Sequence, residues 1–158
     1  MGSFRDGYSN FGFFDAMTPA SQSAALDGRT IDRQGYEAVT FIVTTDAITS
    51  GAATSDWALR LEHGLASADG VSAWSAVPNS LLIHSVAGGY DSTAETGIFQ
   101  TIQGVTGSGT TYACGYKGDK DHRYVRLVLS ETGVMSATIM AGWCVLGEPA
   151  TWPVNTPI

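Results

Sequence analysis

Basic residues are scarce in this chain of 158 residues, where eight Lys and Arg stand against 15 Asp and Glu for a net charge of −7. A field of that sign repels polyanions, so a direct nucleic-acid partner is not expected. Cysteine is scarcer. Cys114 and Cys144 are the only two, each in a short apolar stretch and outside any CxxC element. That spacing supplies no metal-ligand set, and buried free thiols are expected over a disulfide because such cysteines behave as small hydrophobes. No apolar run reaches the roughly 18–20 residues that cross a bilayer. The opening "MGSFRDGYSNFGFF" is without the basic and then apolar order of a signal peptide, so cytoplasmic synthesis and no membrane partner are expected.

Catalytic signatures are missing too. His63, His84 and His122 fall in no HExxH pattern, and there is no GxSxG elbow. The glycines of "GVTGSGTT", residues 104–111, have no Lys after them and no helical pattern behind them, so they are not a phosphate-binding loop. Asp119 and Asp121 in "GDKD" have the opening spacing of a calcium loop, yet the later oxygen ligands do not follow, and a structural turn is the expectation. Among Glu62, Glu95, Asp119 and Asp121 nothing in the spacing selects a glycosidase pair. The chain is therefore expected not to be an enzyme, with no cofactor and no metal. Trp57, Trp74, Trp143 and Trp152 are candidate sugar-stacking platforms, although Trp57 and Trp143 read as core-facing.

What is abundant is glycine, with 19 residues, together with β-branched and aromatic side chains. These favour strands joined by tight turns. Val39, Phe41 and Val43 alternate with Ala38, Thr40, Ile42 and Thr44, Trp57, Leu59 and Leu61 with Ala58, Arg60 and Glu62, and Val125, Leu127 and Leu129 with Tyr124, Arg126 and Val128. Each set predicts a strand with one apolar face. In "MSATIMAGWCVLG" the inward set is read as Met135, Ala137, Ile139, Ala141, Trp143 and Val145, and the short turn before it predicts a hairpin with the preceding strand. Between 80 and 113 only short apolar pieces stand out, around Leu81–Ile83 and Ile98–Ile102. The predicted fold is all-β, an antiparallel β-sandwich or jelly-roll-like barrel spanning residues 31–147.

Two extended arms flank it. Residues 1–30 carry Phe4, Tyr8, Phe11, Phe13 and Phe14 without strand periodicity, and residues 148–158 carry three prolines and Trp152. Such aromatics either drape over their own core or pack on a neighbouring subunit. Half of the basic residues lie in "GYKGDKDHRYVRLVLS", residues 115–130. With Val125, Leu127 and Leu129 inward, Tyr124 and Arg126 stand on the opposite face, where the guanidinium can fork onto an acidic surface of the same or a neighbouring subunit. A subunit or capsid contact is therefore expected at Phe4, Tyr8, Phe11, Phe13, Phe14, Tyr124, Arg126 and Trp152.

The order "DGRTIDRQGYEAVTFIVTTDAITSG", "WALRLEHG", "VP", "GYKGDKDHRYVRLVLSETG" and "MAGWCVLGEPATWP" resembles a group of small virion proteins of tailed bacteriophages, encoded beside the major capsid protein. The likeness runs from Leu26 to Pro153, and Asp121 and His122 lengthen the turn relative to the family's "GYxGxKRYVRL" pattern. It implies a capsid decoration, or cement, protein on the outer capsid surface of the virion, made in the host cytoplasm. Its implied partners are the major capsid protein and copies of itself as a homotrimer. The alternatives are the base of a head fibre and a host-surface glycan-binding module.

Overall fold

The computed structural model describes residues 11–48, 55–67, 70–84, 96–104 and 109–149. Eleven strands account for most of them: β1 (Gly12–Gln22), β2 (Leu26–Asp27), β3 (Ile31–Asp32), β4 (Tyr36–Thr45), β5 (Asp56–Ser67), β6 (Gly70–Ala76), β7 (Leu82–His84), β8 (Ile98–Gln103), β9 (Thr110–Tyr116), β10 (Tyr124–Thr132) and β11 (Thr138–Pro149). One turn of 3₁₀ helix, Asn79–Leu81, precedes β7. The strands form two antiparallel sheets. The first has the order β1-β11-β4-β9-β7, and the second has the order β2-β10-β5-β6, with β3 also pairing β10 and β8 also pairing β5.

The sheets share one core. Val39, Phe41, Val43, Cys114, Tyr116, Met140, Cys144 and Leu146 from the first sheet meet Trp57, Leu59, Leu61, Val125, Leu127 and Leu129 from the second, and all of them are buried. Three of the predicted alternations, in β4, β5 and β10, therefore place the expected residues inward. The layers approach closely at Gly142, where a Cβ would come within 2.8 Å of Leu127 Cδ2. The backbone also ties the layers, since Gly28 N–H donates to Leu127 O and Arg29 N–H to Ala16 O, both at 2.8 Å. This is an all-β sandwich of two packed sheets.

Three expectations are corrected. Residues 12–22 are not an arm but the edge strand β1, antiparallel to β11. Their alternation is hidden by irregularities between Asp15 and Met17 and between Met17 and Ala20, which turn Ala16 and Met17 both inward. Pro19 is tolerated there because an edge strand has a free side. Next, β10 and β11 are not a hairpin: they belong to different sheets. The segment between them crosses the sandwich, with Gly133 at φ 74 and Met135 N–H donating to Glu131 Oε1 at 2.9 Å.

The third correction is the phase of β11. Met140, Cys144 and Leu146 are inward, whereas Ile139 and Trp143 face out, 56% and 43% exposed. Both parities of this strand are apolar, so alternation alone does not choose between them. Small Gly142 beside Leu127 is what lets the even-numbered set face the core. The cysteine expectation stands on firmer geometry. Cys114 and Cys144 are free and lie opposite Phe41 from its two sides. They are thus two strand spacings, roughly 10 Å, apart, well beyond disulfide reach.

Candidate functional site

The outer faces of the two sheets differ in kind. On the first sheet the register lines up Phe13, Val145, Thr40, Gly115 and Ile83 in one row across the strands. The next row is Asp15, Trp143, Ile42 and Ala113, followed by Ala141, Thr44 and Thr111. Only Asp15 is charged among these positions. It stands on the edge strand, where Arg29 lies 3.3 Å away. Phe13 is 65% and Ile83 52% exposed, so apolar side chains on β1, β7 and β11 line the face from one edge to the other. A sheet face with so little charge and with exposed aromatics is of the kind that often marks association surfaces.

The outer face of the second sheet is a charge network. Arg126 and Glu62 are register partners on β10 and β5. Arg126 Nε and Nη2 donate to Glu62 Oε2 at 2.9 and 2.6 Å, and Arg126 Nη1 lies 2.9 Å from Asp27 Oδ2. Its guanidinium covers the Trp74 ring at 4.5 Å. Arg60 closes the network through Glu62 Oε1 at 2.5 Å. The acidic grip expected of Arg126 is thus supplied within its own chain.

Tyr124 lies at the start of β10 with the Arg123 guanidinium 5.2 Å from its ring centre, and Arg123 is itself bonded to Asp32. That Arg holds the Asp32 carboxyl below its ordinary range. Phe11, Phe13 and Phe14 are all exposed at the start of the described chain. Phe11 and Phe13 meet edge to face at 6.3 Å. Phe4, Tyr8 and Trp152 lie outside the described residues.

A second constellation, invisible to spacing, sits where the chain passes from β9 in the first sheet to β10 in the second. Tyr116, at the end of β9, places its buried hydroxyl 2.9 Å from Nδ1 of His63 on β5. The His63 ring stacks on His122 with centroids 3.6 Å apart and planes within 3°. His122 Nδ1 is 3.1 Å from Asp119 Oδ2. Arg33 fixes the turn by donating to the carbonyls of His122, at 2.8 Å, and of Asp119. Burial, aided by the charges of His122 and Arg33 and opposed by Asp119, pushes the His63 imidazole down to about 4. Burial pushes the Tyr116 phenol up to about 12, and the Asp121 N–H helps hold the Asp119 carboxyl low. The buried His63 is thus neutral at pH 7 and bonded on one nitrogen.

No family model matches this chain, and no characterised protein matches it in sequence.

Proposed function

We propose that this protein is a structural component of a bacteriophage virion, binding the outside of the capsid and stabilising it as a decoration protein. The observation that carries the reading is the outer face of the first sheet, with Phe13, Ile83, Ile139 and Trp143 exposed and Asp15 the one charged residue in its register rows. A sandwich rigid on the inside and apolar on one outside face suits a part that clamps onto a larger shell. Burying one such aromatic or aliphatic side chain contributes about 1.5–3 kcal/mol, and symmetric repetition multiplies a modest contact per copy. The partners are the major capsid protein and sister copies in a trimer. The motif order from Leu26 to Pro153 supports the same assignment.

Co-sedimentation with undecorated capsid shells tests the proposal. The wild-type chain pellets with shells and raises their thermal stability, and Trp143→Lys, which leaves the isolated domain folded, does neither. Equal shell binding by wild type and Trp143→Lys would remove this face from the interaction. A second reading, a glycan-binding module, draws on Trp143 as an exposed stacking platform. Retention on a glycan array by wild type but not Trp143→Lys, without shell binding, would favour it.

A further inference from the structure

We propose that His63, Asp119 and His122 form a binding site for a divalent transition-metal ion that clips the two sheets together. Each offers one ligand atom, and these atoms all lie within 4.8 Å of one another. A four-coordinate ion with bonds of about 2.0–2.1 Å wants its donors about 3.3 Å apart. Asp119 and His122 already meet that spacing at 3.1 Å. Two imidazoles with one carboxylate suit zinc, nickel, cobalt or copper and are a poor set for magnesium or calcium.

The surroundings are those of a supported ligand set. His63 is bonded on Nδ1 by the Tyr116 hydroxyl. With the Nδ1–H donated to that oxygen, the lone pair is on Nε2, the outer-shell arrangement that orients metal-binding histidines. Asp119 Oδ1 accepts the Asp121 N–H at 3.0 Å, which leaves Oδ2 turned to His122. Arg33 holds the turn backbone at both Asp119 and His122, so the frame fixes the turn that carries these two ligands. Beside Asp119 opens a pocket of about 250 Å³, lined by Arg33, Glu37, Lys117, Gly118, Asp119 and Lys120. Neither His63 nor His122 lines it, so it opens only the Asp119 side of the cluster to solvent.

Two features oppose binding and set its character. The imidazoles stack in parallel, so their lone pairs do not converge until the His122 ring, 20% exposed, swings off the His63 ring. Arg33, Lys117 and Lys120 bring positive charge to the pocket, which weakens the site relative to closed structural zinc sites. What an ion gains is position: β5 belongs to the second sheet and the 117–123 turn follows a strand of the first. Binding there ties the layers at their rim, and its free energy appears directly as fold stability.

The test uses the untagged full chain, freed of metal by chelator, titrated with Co²⁺ as a spectroscopic probe and with Zn²⁺ in thermal melts. The expected result is one equivalent of cobalt with a visible ligand-field absorption. At a hundredfold excess over Kd, zinc raises the melting temperature by about 5–10 °C. His122→Asn and Asp119→Asn, which change only turn side chains, lose the absorption and the zinc-dependent shift. His84→Asn keeps both, and Tyr116→Phe weakens binding by about 10–100-fold. The site is overturned if millimolar cobalt produces no absorption, or if His122→Asn and Asp119→Asn bind as wild type does.

Discussion

Truncating Arg126 removes more than a surface charge. The side chain is only 16% exposed and its partner Glu62 only 9%, so Arg126→Ala leaves a largely buried carboxylate with Arg60 as its remaining cation. Breaking a buried ion pair costs about 3–5 kcal/mol. The surviving Arg60 contact at 2.5 Å reduces that to about 2–3 kcal/mol. The Asp27 leg adds little, because Asp27 is 60% exposed and exposed pairs are worth about 0–1 kcal/mol. The total, about 3 kcal/mol, corresponds to a fall in melting temperature of about 6–12 °C for a domain of this size. Chemical denaturation of Arg126→Ala, Asp27→Ala and the Glu62→Gln/Arg126→Met cycle measures it. Asp27→Ala is expected to lose less than about 1 kcal/mol, and the Glu62–Arg126 coupling falls at about 1–3 kcal/mol. If Arg126→Ala costs no more than Asp27→Ala, the network is surface decoration and the reasoning fails.

Ile139→Lys on the outer face of β11 should change domain stability by less than about 1 kcal/mol while abolishing shell pelleting; unfolding by this single change would place Ile139 in the core. Cys114 and Cys144, whose thiols burial pushes up to about 12, should ignore an aromatic disulfide reagent at pH 8 until the protein unfolds, and prompt labelling in the native state would refute their placement. Gly97→Ala combines φ 66 with a Cβ 2.3 Å from Leu61 O, so its loss should exceed about 2 kcal/mol, read from the denaturant midpoint. Asp32, its folded pKa held below 3.8 by Arg123, contributes stability that is present above pH 3.8 and lost as pH falls through its lower folded value. Asp32→Asn should therefore lower stability at pH 7 yet converge with wild type in acid, and parallel pH–stability curves would contradict that.

How far the sequence reveals the fold depends on whether one face of a strand is polar. In β4, β5 and β10 the outward positions include Thr40 and Thr44, Arg60 and Glu62, and Arg126 and Ser130, so the inward set is unambiguous. Where both faces are apolar, as in β11, periodicity carries no phase, and the packing of Gly142 on Leu127 decides. The edge strand β1 escapes detection because its bulges break the period of two. The apolar outer face is illegible for a related reason: it is assembled across five strands, and each contributes too few outward residues to look unusual by itself. The His63, Asp119 and His122 cluster is hidden by distance along the chain. It exists only because β5 and the turn after β9 meet at the rim of the sandwich.

The pairing of β1 with β11 has an engineering consequence. Gly12 stands opposite Leu146, only three residues before the end of β11 at Pro149, so the framework begins and finishes at the same rim, on neighbouring strands. A chain trimmed to residues 12–149 can therefore have its ends joined by a short linker, and a new opening between β5 and β6 yields a circular permutant that keeps the β1–β11 ladder. Passengers fused directly before β1 or directly after β11 would start from one corner of the sandwich. A display scaffold built on this trimmed domain can thus carry cargo on either β1 or β11 without changing where the cargo is presented.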